Sequence, residues 1–285
     1  MAKSKWNLLF ATFILSCASL TSLIVSLCTP YWINSEAYES SAYKNSIINY
    51  GLFTGSLTQN FLPNQRYYDL TISCLYREYV CAYSCQATEE ERSEEVLLLL
   101  KGLPRLADCP LRTSRQLSVD NPSQPTNQQR QNSGPYNRSS FINTGFWIST
   151  VVFVGIAIGF AGTAASFSII NVLFNPVEPI FSVFGLYIWN GAAIGASALS
   201  LILWGSLFAS TLTENIAVTD TLTIQLPYNS EGLASLGFSY WFLLLPIGLH
   251  ATNVVLLIIR RYVINREPPP TTIDVDSSDL TIIMY

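Results

Sequence analysis

The sequence predicts an all-α membrane protein, a four-helix transmembrane bundle with a small β-containing, disulfide-bonded first extracellular loop. Three observations predict it. Charge is scarce, at 12% of residues against 49% hydrophobic, where a soluble domain carries roughly 25% charged residues. The charges are missing in blocks, because no Asp, Glu, Lys or Arg occurs over residues 6–35, 139–177, 179–213 or 232–259. Four cysteines, Cys74, Cys81, Cys85 and Cys109, gather between the first two blocks. Each block holds the run of about 20 apolar residues that a helix needs to cross a hydrocarbon core. Lipid offers the backbone no partners, so such a run pairs its own N–H and C=O groups as a helix.

Taken in order, the elements are a short N-terminal segment 1–5, a first span 6–28, a first external loop 29–144, a second span 145–174 and a short loop 175–179. A third span 180–210, a second external loop 211–233, a fourth span 234–259 and a tail 260–285 complete the chain. Lys3 and Lys5 precede the first span, Arg260, Arg261 and Arg266 follow the last, and residues 211–233 contain no Lys or Arg. Short basic flanks stay in the cytoplasm, which places both termini there, in a multi-pass membrane protein. Ten basic residues lie in the first loop, but long loops cross largely regardless of charge. A cleaved signal peptide is the rival reading of the first span, and its apolar run exceeds the usual length of such a segment.

The first loop reads as composite. Residues from about 48 to 84 are rich in aromatic and β-branched side chains bounded by Gly, Pro and Asn, the pattern of short strands. Thr88 and Glu91 form a capping-box pattern ahead of Val96-Leu97-Leu98-Leu99-Leu100, and Gly102 supplies a stop, predicting a short helix over about 89–101. Packing of the tetraleucine within the loop, contact with the outer leaflet and contact with a partner are its three readings. Residues from about 114 to 140 are Gln, Asn, Ser, Pro and Arg with almost nothing apolar, so they cannot offset their ordering entropy and read as a disordered insert. The four external cysteines point to two disulfides with three pairings open. A metal site is their weaker reading, since the loop lacks His. Asn137-Arg138-Ser139 is a glycosylation sequon on the same side.

Within the spans, Gly155 with Gly159 and Gly191 with Gly195 have the four-residue spacing that lets helices approach closely, read as packing inside the bundle, with a homo-oligomer as the alternative. Trp6, Trp32, Trp147 and Trp241 near span ends fit interfacial aromatic belts. His250 and Asn253, three apart, share a helix face and need partners in hydrocarbon, with Asn190 the candidate. Their readings are an interhelical clasp or a proton or ligand site, and the lack of Asp, Glu, Lys and Arg from span centres favours the clasp.

No nucleophile with a nearby base, zinc spacing or phosphate-cradling glycine loop is legible, so the chain is read as non-enzymatic, with no cofactor and no bound metal. No basic stripe points to nucleic acid. The ending Ile283-Met284-Tyr285 places apolar side chains at the last position and two before it, as a PDZ scaffold would bind them by strand addition.

Thr29-Pro30-Tyr31-Trp32-Ile33, Tyr50-Gly51-Leu52-Phe53-Thr54-Gly55, Phe184-Gly185-Leu186-Tyr187, His250-x-x-Asn253 and Met284-Tyr285, in this order across nearly the whole chain, together resemble the clarins. The layout is also similar to claudin-like and peripheral-myelin-protein-like tetraspans. The resemblance implies a plasma-membrane protein of sensory cells, associated with actin-linked complexes in stereocilia or photoreceptor microvilli and with synapses. It supplies no catalytic residue. The insert and the external cysteine set depart from the family. A claudin-like adhesion protein and an auxiliary channel subunit are the alternatives.

Overall fold

Hydropathy and backbone pairing divide the chain between two layers, a helical bundle and a sheet standing on one end of it. The structure, a computed structural model, describes residues 2–39, 42–60, 65–103, 141–174, 182–213, 228–229 and 232–266. The helices are α1 (Ala2–Cys28), α2 (Glu89–Leu100), α3 (Thr144–Leu173), α4 (Val183–Leu207), α5 (Phe238–Phe242) and α6 (Leu244–Asn265). The strands are β1 (Ile33–Glu39), β2 (Ala42–Tyr50), β3 (Thr54–Asn60), β4 (Gln65–Leu75), β5 (Val80–Ser84), β6 (Ile142–Asn143), β7 (Tyr228–Asn229) and β8 (Ala234–Leu236).

Four helical stretches are long and apolar enough to cross a bilayer: Trp6–Cys28, Thr144–Leu173, Val183–Leu212 and Phe238–Asn265. They close a ring in which α1 packs on α3, α3 on α4, α4 on α6 and α6 on α1. The inward face of α1 is Leu9, Thr12, Ser16, Ser19, Ser22, Leu23 and Ser26. Toward the same interior α3 turns Val154, Ala157, Ala161 and Ala164, and α4 turns Asn190, Ala193, Ala196, Ser197 and Ser200. Large apolar side chains such as Ile14, Ile24, Val152, Ile156, Ile188, Ile202, Val255 and Ile258 point outward. A water-soluble bundle reverses that distribution, whereas helices in lipid gain from small residues at their contacts and lose nothing by exposing Ile.

The glycine pairs correct the sequence expectation. Gly155, Gly159, Gly191 and Gly195 lie on the outward faces, and a Cβ at any of them would meet nothing within 4 Å. Alanines and serines one face away make the close contacts instead.

The sheet is larger than the small lobe expected, and the all-α assignment gives way to a helical bundle joined to an eight-stranded antiparallel sheet, ordered β6-β5-β4-β3-β2-β1-β7 with β8 also on β1. It begins earlier than residue 48, because β1 starts five residues after α1 ends and pairs Ile33 with Tyr50. It also draws strands from outside the predicted range. β8 pairs Ile33 with Leu236, β7 pairs Tyr38 with Asn229, and β6 pairs Cys81 with Ile142. Residues 234–236 therefore belong to the sheet and not to the fourth span. That span starts at Phe238 and its helix continues past 259 to Asn265. Pro246 accounts for the break at Leu243 between α5 and α6, since it has no N–H and its ring crowds the carbonyl four residues earlier.

The α2 cap forms as its residues predict. Thr88 Oγ1 accepts from Glu91 N at 3.3 Å, and Glu91 Oε2 accepts from Thr88 N at 3.2 Å. Gly102, at φ +68°, ends the helix. Val96 and Leu99 bury against Val80, Ala82 and Phe141, so the tetraleucine packs within the lobe.

Candidate functional site

Two polar constellations stand out, one inside the bundle and one where sheet and bundle meet. The first ties α1, α4 and α6. Asn190 Nδ2 donates to Leu186 O at 2.7 Å, which fixes its amide so that Oδ1 faces α6 as an acceptor. His250 Nδ1 lies 2.7 Å from that oxygen and must carry the proton, because a carbonyl oxygen has none to give. Asn253 Nδ2 donates to the same oxygen at 3.1 Å and to Ser16 Oγ at 2.9 Å. All four side chains are fully buried. Asn190, His250 and Asn253 thus come together as a clasp, with one carbonyl oxygen serving two donors.

Ser16 was not anticipated, although its signal was present. Thr12, Ser16, Ser19, Ser22 and Ser26 recur at three- and four-residue spacing, one polar stripe along α1.

At the junction, Trp32 is completely buried, which corrects its assignment to an interfacial belt. Its indole Nε1 donates to Ser26 O at 2.8 Å, and its ring meets Trp204 edge-on at 5.4 Å and Tyr240 at 6.4 Å. Its own N–H donates to Tyr50 O, while its carbonyl accepts from Gly237 N at 2.9 Å. Ser26 Oγ donates to Ser239 O, and Tyr240 Oη to Leu201 O. On the far side Trp147 Nε1 donates to Leu52 O at 2.8 Å. Tyr50 and Tyr83 stack at 4.2 Å, and Tyr83 Oη donates to Gly51 O. Burial pushes the Tyr83 hydroxyl far above the ordinary phenol value, so it keeps the proton this bond uses.

Two glycines make the approach possible. A Cβ at Gly51 would lie 2.7 Å from Pro30 Cα and Thr29 O, and one at Gly237 would overlap Tyr31 O. Sheet and bundle are joined by these bonds and close approaches into one body.

Cys74 and Cys81 sit opposite one another on β4 and β5 and are bonded, a closure of a short loop that contributes about 2–3 kcal/mol by restricting the unfolded chain. Cys85 is also disulfide-bonded, and Cys109 lies outside the described residues. So do Asn137, the insert 114–140, the loop 175–179, and Ile283, Met284 and Tyr285. Cys17 and Cys28 in α1 are free thiols. Among the described residues, no three His, Cys, Asp or Glu side chains cluster as metal ligands.

These features define a class by architecture, a four-helix bundle of membrane-spanning length capped by an antiparallel sheet. Compared with known proteins, the chain matches no family model and no curated relative.

Proposed function

We propose that the chain is a non-enzymatic, clarin-like tetraspan organiser of the plasma membrane in sensory cells. Its lobe lies outside, and its C-terminal residues Ile283, Met284 and Tyr285 engage a PDZ scaffold linked to actin inside. The observation that carries this reading is the junction. Trp32, Trp147 and Gly237 bond the sheet end to α1, α3 and the start of α5, and Tyr240 ties α5 on to α4, so anything held by the lobe keeps a fixed position relative to the spans. A body that is stiff across its outer interface suits positioning. In the interior of the bundle Asn190, His250 and Asn253 bond to one another and to Ser16, which ties α1, α4 and α6 together, while His250 Nε2 and Asn253 Oδ1 are buried without a hydrogen-bond partner among the described residues.

The test is endogenous tagging in sensory epithelium combined with deletion and rescue. The proposal predicts signal at actin-based projections or synapses, and projections that lose order on deletion and recover with the intact chain. Uniform internal-membrane staining and normal projections after deletion would contradict it. Concentration at contacts between apposed cells would favour claudin-like adhesion, and altered conductance would favour a channel subunit.

A further inference from the structure

β4 and β5 run on past the end of β3. β3 begins at Thr54 opposite Thr71, and β4 continues four residues further to Leu75, about 13 Å at the rise of an extended strand. The turn that follows, Tyr76-Arg77-Glu78-Tyr79, is closed by the Glu78 N–H donating to Leu75 O at 3.1 Å and by the Cys74–Cys81 disulfide behind it. Three contacts tie it to the first residues of α3. Thr144 N donates to Tyr79 O at 3.2 Å, Cys81 Sγ lies 3.2 Å from Thr144 Oγ1, and Val80 pairs with Asn143. The tip therefore sits at the level where α3 becomes apolar.

Two features of the tip are unusual. Tyr79 holds φ at +57°, the one non-glycine residue with positive φ among the described residues. A bulky side chain is an outlier there, and such outliers gather at sites of interaction. Tyr76 and Tyr79 are also among the most exposed aromatic residues described, at 63% and 68%, on a turn whose backbone is clamped. Below them Phe146 is exposed on the first turn of α3, and Ile148, Val152 and Ile156 follow at four-residue spacing along its outward face. The bond from Thr144 N to Tyr79 O sets the aromatic tip beside the start of this outward face.

We infer that the 76–79 turn is an interfacial anchor whose partner is the outer-leaflet phospholipid headgroup layer. The Tyr76 and Tyr79 rings enter the boundary between headgroups and acyl chains with their hydroxyls in water, the placement that amphipathic rings favour. Arg77 lies between them, exposed, with a guanidinium fork that matches headgroup phosphate. The disulfide and the α3 contacts hold the tip at this depth, so the anchor sets the tilt of the lobe on the membrane. This inference rests on the reading of α3 as a span with the lobe outside.

The test uses the full chain reconstituted in phosphatidylcholine vesicles. The photoreactive residue p-benzoylphenylalanine replaces, one at a time, Tyr76, Tyr79, Ile156 or Tyr67, which is exposed nine residues before Tyr76, near the far end of β4. Lipid adducts are read by mass after irradiation. The anchor predicts adducts at 76 and 79 several-fold above those at 67, together with adducts at 156. Adducts at 156 with yields at 76 and 79 no higher than at 67 would overturn the anchor and leave the span standing. Crosslinks from 76 and 79 to a second copy instead of lipid would likewise overturn it. No adduct at 156 would overturn the span and the anchor together.

Discussion

Asn190 holds three hydrogen bonds in the interior, because its single carbonyl oxygen accepts from His250 and Asn253 and its amide is spent on its own helix. Replacing it with Leu removes the acceptor and leaves two buried donors. Loss of a buried partner costs about 1–3 kcal/mol, so Asn190→Leu is expected to lower the unfolding temperature in detergent more than Asn253→Leu, which removes a donor but leaves the His250 bond. Equal shifts would contradict the clasp. The polar identities of Asn190, His250 and Asn253 were legible because each interrupts an apolar run. Ser16 was not, since serine is tolerated on any face of a membrane helix and only the repeated spacing from Thr12 to Ser26 distinguishes it. Tyr83 makes a second prediction at this scale. Its folded value is raised by burial above the ordinary 10.0, so the stability it contributes is fully present below that pH and is lost as pH rises above it. Unfolding of the lobe, followed by the circular dichroism of its aromatic residues, should become easier above about pH 10, and Tyr83→Phe should weaken that dependence.

The span lengths were legible from the uncharged blocks, but the face that each helix turns inward was not. Four-residue glycine spacing marks a surface without bulk, and that surface serves equally as an inner contact or an outer face. The burial of Ala157, Ala161 and Ala164 decides between them. Gly155→Leu projects into open space and is expected to change stability by no more than about 0.5 kcal/mol, as outward substitutions do. Ala161→Leu forces bulk between α3 and its neighbours and should cost about 1–3 kcal/mol. Chemical unfolding in one detergent compares the two, and the reverse order would refute the packing described. Strand content was under-read for a related reason. β1 has only Ile33 as a large apolar residue on its buried face, so its alternation is faint, and what makes it a strand is backbone pairing to β2, β7 and β8 from distant parts of the chain. Residues 234–236 are apolar enough to extend a span, and only their pairing with β1 assigns them to the sheet.

At the scale of the whole molecule, Trp32 determines whether lobe and bundle move together. It fills the space between Trp204, Tyr240 and the sheet and bonds both layers. Trp32→Ala is expected to cost about 3–5 kcal/mol and to speed deuterium exchange in β1 and β8, whereas truncating the exposed Trp241 at the edge of α5 should leave that exchange unchanged. Beneath these details lies the claim that four apolar helices cross the bilayer, with the sheet on one side and the chain end on the other. The most direct measurement places one epitope tag within residues 61–64, between β3 and β4, and another after Tyr285, and stains cells with and without permeabilisation. The account predicts that intact cells display the first tag alone and that the second appears once the membrane is opened. Both tags reached from the same side of an intact cell would contradict it.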